Sequence, residues 1–301
     1  MGRPLRRRAG GHLRPTGSVT ASVVGAIAPK LEQAEIERSR RKPTEILDAY
    51  DYYLRGLALV NRITRAANDE ALHFFNKAIQ RDPDFALAHA RAAFCYVPRK
   101  ANGWMVNREQ EVAAAARLAR RGIELGRDDA VALSYSGHVL GYVVGDLDDG
   151  AAFVDLALRL NPNLAIAWGS SGWAKICFGE PNLAIEHEAR ALRLSPLDPR
   201  RYSWEFYTAL AHFCAGRHDE AVSWAERALR DQPNLANALR VLAASHALAR
   251  RSIEGQRAMS RLRQLDPELR VSTLDDVMPP FRRPEDHAKY VEGMRLAGLP
   301  E

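Results

Sequence analysis

The chain has 301 residues, 47% of them hydrophobic and 27% charged, a balance ordinary for a protein that buries a sizeable core. Its net charge of +6 is unevenly placed: residues 1–43 hold ten Lys or Arg against three Glu, which leaves the rest close to neutral. A neutral body offers no basic stripe to a phosphate backbone, so nucleic-acid binding is not expected of the residues beyond 43.

Residues 1–17, MGRPLRRRAGGHLRPTG, read as a disordered basic tail. The run from Val19 to Ala28 behind it looks superficially like a signal peptide. Thr, Ser and Gly dilute that run, however, and Pro29 would follow the cut. Val19, Val23, Ile27 and Leu31 recur at i, i+4, which predicts instead an amphipathic helix over 18–43, ended by Pro43. No stretch approaches the roughly 20 apolar residues of a membrane span.

From Leu47 the pattern becomes paired helices. LDAYDYYLRGLALVNRI is followed by DEALHFFNKAIQR, closing at Pro83. The second pair opens at Phe85, breaks over Val97–Trp104, and resumes near Arg108. This unit is about eleven residues too long, which predicts a surface insertion projecting from one face. Regular units then span 131–164, 165–198, 202–235 and 236–269, with Pro199-Arg200-Arg201 added between two of them. Pro162 to Pro196, Pro199 to Pro233 and Pro233 to Pro267 are each 34 residues apart. Five positions before a closing proline stand Ala78, Ala157, Ala191, Ala228 and Leu262. After Pro267 the period fails: 270–283 reads as a loop marked by Pro279-Pro280. Pro284 then opens a short helix with Tyr290, Met294 and Leu296 or Ala297 towards the protein, a candidate cap over the last open face.

The unit 165–196 resembles the tetratricopeptide repeat (TPR). Trp168, Gly172, Ala184, Ala191 and Pro196 stand at its signature places, while Ser171, Lys175 and Glu188 depart from it. That resemblance implies an all-α, right-handed superhelix of about six helix pairs over 47–269, capped by a helix within 270–301. It also implies that the first helix of each pair lines a concave surface that binds a protein or peptide. Aligning the units puts Tyr135, Tyr142, Trp173, Phe206, Leu210 and Phe213 on that inner wall as the candidate groove, and Trp168 between helices. Residues 18–301 further resemble the C-terminal half of a bacterial family in which a class III adenylate/guanylate cyclase domain, or a winged-helix DNA-binding domain, precedes a TPR region. SVTASVVGAIAPKLEQAEIERSRRKPTEILDAYDYYLRGL and FRRPEDHAKYVEGMRLAGLPE carry this second likeness. It implies a regulatory module, with a detached part of a cyclase system as the alternative. No residue here matches the metal-binding aspartates of a cyclase.

Motifs for covalent chemistry do not survive inspection. Glu186-His187-Glu188 lacks the second His of HExxH, and neither a Walker A loop nor a GxSxG elbow occurs. His212 and His246 fall at equivalent places one repeat apart, a packing substitution rather than a metal pair lacking its third ligand. Cys177 and Cys214 are also equivalent, on helix axes roughly 8–10 Å apart, too far for a disulfide. They read as small buried hydrophobes in a reducing, cytoplasmic compartment. The expectation is therefore a binding protein with no catalytic residue, metal or cofactor.

Overall fold

The computed structural model describes residues 30–42 and 47–301, and among these there is no β-strand. The expected basic tail, and the first part of the expected leading helix over 18–43, lie outside the described residues. A first helix, α1, is described over 30–41 and lays Ile36 against the repeat that follows.

Six helix pairs come next: α2 (Ala49–Leu57) with α3 (Arg65–Arg81), α4 (Ala86–Phe94) with α6 (Arg108–Leu125), and α7 (Ala130–Val139) with α8 (Leu147–Leu160). Then follow α9 (Ala165–Cys177) with α10 (Pro181–Leu194), α11 (Arg201–Cys214) with α12 (His218–Asp231), and α13 (Ala236–Leu248) with α14 (Ser252–Leu265). A short helix, α5 (Tyr96–Ala101), interrupts the second pair, and α15 (Pro284–Leu296) follows the last. This is the all-α TPR solenoid that the period predicts.

The small residue before each closing proline marks the tightest contact. Ala78, Ala157, Ala191, Ala228 and Leu262 are all fully buried. Each offers its carbonyl to the N–H of the residue that ends its helix, Asp82, Asn161, Ser195, Gln232 and Asp266 respectively. Gly122 does the same for Gly126 in the second pair, whose closing proline is missing. A Cβ at Gly122 would lie 2.9 Å from Ser136 Oγ and 3.1 Å from the Ala90 backbone nitrogen, so a larger residue would have to displace its neighbours.

The turn within the last three pairs repeats as faithfully. Gly179 and Gly216 adopt φ of 80° and 75°, and each turn is held by two backbone bonds back into the helix it ends. In the sixth pair the same two bonds form around Arg250, at φ 61°, where a side chain is strained.

First and second helices differ in surroundings. Ten of the thirteen residues of α13 are buried, against four of the fourteen of α14. A helix buried all round lies between two layers. The second helices form the outer layer; the inner layer comes from the chain itself. The insertion after α4 turns inward rather than projecting: Lys100 Nζ donates to the Tyr142 carbonyl at 2.6 Å, and Arg240 Nη2 to the Ala101 carbonyl at 2.7 Å. Pro98 is tolerated because it sits in the first turn of α5, where its missing N–H costs nothing.

The C-terminal segment also comes inside. After a 3-10 turn, Val271–Asp276, it crosses the ends of α7, α9 and α11 in order. α15 then packs on α13, with Tyr290, Met294 and Ala297 buried and Leu296 exposed. The outer side of α14 is left to solvent by its own polar residues, the usual device at a solenoid end. No helix among the described residues is long and apolar enough to cross a membrane.

Candidate functional site

The turn after α2 reaches across the superhelix, where Gln232 Nε2 donates to the Asn61 carbonyl at 3.4 Å. Beside this contact lies a partly open compartment, lined mainly by the first, second and fifth pairs. It consists of a cavity of about 100 Å³ reaching towards Trp104 and Phe206, and one of about 50 Å³ reaching towards His138 and Trp204. The two share Val60, Arg91, Phe94, Tyr202, Ser203 and Tyr207.

Polar atoms without a protein partner gather on this lining. They are the amide oxygens of Asn61 and Asn68, Nε and Nη1 of Arg91, both ring nitrogens of His138, and Nη1 of Arg200. Leaving such groups buried and unpaired costs roughly 1–3 kcal/mol each, more for a charged one. Arg91 is only 6% exposed, stacks on the Tyr135 ring at 4.0 Å and lies near the Tyr53 hydroxyl. Among the described residues it makes no ion pair. Arg200 gives Nε and Nη2 to Asp198, each at 3.2 Å. Burial, and then the nearby Arg91 charge, lower the Arg200 guanidinium to about 10.

The arrangement suits binding rather than acid–base or nucleophilic work. Burial alone drops His138 to about 3, so its imidazole is neutral and a weak base near pH 7. Burial pushes the Cys95 thiol, also on the lining, up to about 12, far from the thiolate that a nucleophile requires.

The six expected groove residues are all buried, and only Phe206 lines the compartment. Tyr135 lies beneath Arg91, with Phe94 edge-on at 4.8 Å. Trp173 packs on His138 at 4.7 Å and on Tyr142 at 5.5 Å. The Tyr142 hydroxyl donates to the Val277 carbonyl at 2.9 Å. Phe213 meets Tyr290 of α15 at 5.7 Å, and Leu210 is fully buried in the same core. The expectation of an exposed aromatic stripe is thus corrected: the chain's own α5, C-terminal segment and α15 cover that wall.

Trp168, expected between helices, is only half-buried. Its indole N–H donates to the Pro162 carbonyl, and Arg190 lies over the ring at 4.2 Å. His212 accepts from Arg217 at 3.1 Å, which occupies one ring nitrogen. Cys177 and Cys214 are buried and unpaired, and their backbone carbonyls accept from Arg282 N and Lys289 Nζ respectively.

Sequence reasoning missed Arg91, Asn68 and Asn61, for which spacing gives no signal, and treated Arg200 only as part of a three-residue spacer. The departure at Glu188 proves specific. Its carboxyl is buried over Gly172 without a partner, and burial raises it well above the usual carboxylate range.

No protein-family model matches this sequence, and no curated protein matches it. Solved structures do. The chain is similar to one in the crystal structure of the APC/C hetero-tetramer Cut9-Hcn1, at 15% identity and a TM-score of 0.59. That match covers 88% of this chain and 49% of the other, so this chain spans about half of its length. PilW, a type IV pilus biogenesis factor, matches at 17% identity and a TM-score of 0.50, over 70% of this chain and 88% of that one. PilF of Pseudomonas aeruginosa matches at 18% identity and a TM-score of 0.47, over 73% and 93% respectively. At these identities the likeness concerns the fold, and the first two matches agree with the six pairs: the class is the TPR solenoid.

Proposed function

We propose that this chain is a non-catalytic interaction scaffold that recognises an extended segment of a protein partner along its inner wall. One observation carries the reading: the wall already holds a segment of the chain itself, the connection from the 3-10 turn into the start of α15. The Tyr142 hydroxyl donates to the Val277 carbonyl, the Cys177 carbonyl accepts from the Arg282 N–H, and the Cys214 carbonyl accepts from Lys289 Nζ in α15, so the ends of successive first helices each hold one point of the returning segment. Contacts to the segment's main chain at Val277 and Arg282 do not depend on its side chains, as suits a surface that takes a peptide.

The likeness of residues 18–301 to the region that follows cyclase or winged-helix domains supports a regulatory role beside a catalytic or DNA-binding partner. The three buried free thiols support a reducing compartment, hence the cytoplasm. The test is to recover partners on the immobilised full chain and map the reconstituted pair by hydrogen exchange. A partner on the inner wall protects α7, α9 and α11 and loosens 277–290 as it replaces the resident segment. Protection confined to the outer helices α8, α10 and α12 would overturn the assignment.

A further inference from the structure

The compartment between the first, second and fifth pairs is separate from the stretch occupied by the C-terminal segment, and its chemistry differs. Its lining combines two guanidinium groups with a set of rings. Arg91 enters from α4 with Nε and Nη1 unfilled, and Arg200 enters from the spacer before α11 with Nη1 unfilled. Asp198 holds the other donors of Arg200, and Glu32 on the exposed side of α1 acts on the same guanidinium from outside. Phe94, Tyr202, Phe206 and Tyr207 supply the apolar walls, while Asn61 and Asn68 turn free amide oxygens towards the interior.

We infer that this compartment is a binding site for a small organic anion, a carboxylate or phosphate on a planar apolar body, with the anionic group seated between Arg91 and Arg200. A buried guanidinium without a carboxylate partner is stabilised by a ligand that brings the missing charge and accepts its free N–H groups. Charge-assisted bonds at one end and ring contacts at the other are what a few convergent polar groups in an apolar cavity provide.

Size selects among occupants. The linked cavities of about 100 and 50 Å³ suit a compact molecule, whereas an extended chain needs about 3.3 Å of open groove for every residue. The chain's own N-terminal 29 residues are excluded by charge, since they carry five Arg and no acidic residue. This inference does not rest on the partner-binding reading above, which concerns the ends of α7, α9 and α11.

The experiment titrates the full chain with benzoate and with phenyl phosphate, with benzyl alcohol as the neutral control, and follows the melting temperature and the heat of binding. At least one of the two anions should raise the melting temperature saturably, while benzyl alcohol leaves it unmoved. Arg91→Met should weaken that anion about tenfold or more. The same variant should melt, without ligand, at or above the parent temperature, because a buried cation that makes no ion pair among the described residues has gone. Arg200→Gln gives an independent second reading of the anion affinity should Arg91→Met fold poorly.

No saturable effect of either anion would overturn the inference, as would an equal effect in both variants. A clear loss of ligand-free stability in Arg91→Met, with anion affinity intact in Arg200→Gln, would make the guanidinium purely structural. Binding of an acidic peptide without binding of either small anion would also overturn it and assign the compartment to a chain end. None of these results moves the hydrogen-exchange map that tests the scaffold reading.

Discussion

Trp173→Ala and Trp168→Ala separate a filled inner wall from an open one. Trp173 is 3% exposed, packed on His138 and Tyr142, and stands 3.1 Å from where a Cβ on Gly141 would sit. Truncating it leaves a cavity bounded by the end of α7, which the π-turn Leu140–Val144 fixes in place, so the site collapses little. Large-to-small changes of this kind cost about 3–5 kcal/mol. Trp168 loses less. Its hydrogen bond to Pro162 is worth roughly 1 kcal/mol and its Arg190 contact roughly 0.5–1 kcal/mol at a half-exposed position. Urea melts of the two variants should therefore differ by about 2–3 kcal/mol, Trp173→Ala being the weaker. At this chain length that corresponds to roughly 2–4 °C in Tm for each kcal/mol. Equal losses, or a larger loss at Trp168, would refute the burial of the inner wall.

Two buried titratable groups predict opposite pH limbs. The raised pKa of Glu188 makes its contribution fully present below the ordinary value of 4.5 and lost as pH rises towards and through the folded pKa, at roughly 1.4 kcal/mol per pH unit. Glu188→Gln should thus stabilise the chain at pH 7, with the advantage shrinking to near zero by pH 4 in chemical melts; a pH-independent difference would exclude a buried neutral acid. The depressed pKa of His138 makes its contribution present above 6.5 and lost as pH falls through about 3, so His138→Leu should flatten the acid limb of the same melts, and an unchanged limb would contradict its burial as a neutral ring. Arg250→Gly relieves a left-handed position that glycine fills in neighbouring repeats, and should raise stability by about 0.5–1 kcal/mol, whereas a loss would place a stabilising contact on the Arg250 side chain.

The repeating skeleton was legible because it is local. A proline every 34 residues and a small residue five places earlier report one contact, made again in each pair, and Ala78 or Ala228 needs no distant partner to reveal it. The last helix was legible in its inward residues, Tyr290, Met294 and Ala297, but not in its seat on α13. What fills the wall was not legible, because it depends on pairs far apart in sequence. Tyr142 meets Val277 across 135 residues, and Arg240 meets Ala101 across 139. No period couples such positions, so aromatic residues at groove places looked free when the chain's own segments cover them. The insertion after α4 shows the same limit: its extra length was evident, and its inward direction was not. Arg91 escaped notice because a single Arg on an Ala-rich helix looks like a solvated charge until the packing puts it 6% exposed beside a cavity.

Hydrogen exchange of the free full-length chain, read over residues 277–290, tests the central claim most directly. Arg282 N–H is bonded to the Cys177 carbonyl at 2.8 Å, between two points where the wall holds the same segment, Tyr142 on Val277 and Phe213 on Tyr290. If the inner wall recognises an extended chain, that amide should exchange as slowly as those in the middle of α9, and addition of a bound partner should speed it. Exchange of Arg282 at the rate of an unstructured peptide, already in the free chain, would contradict the occupied wall and the scaffold reading built on it.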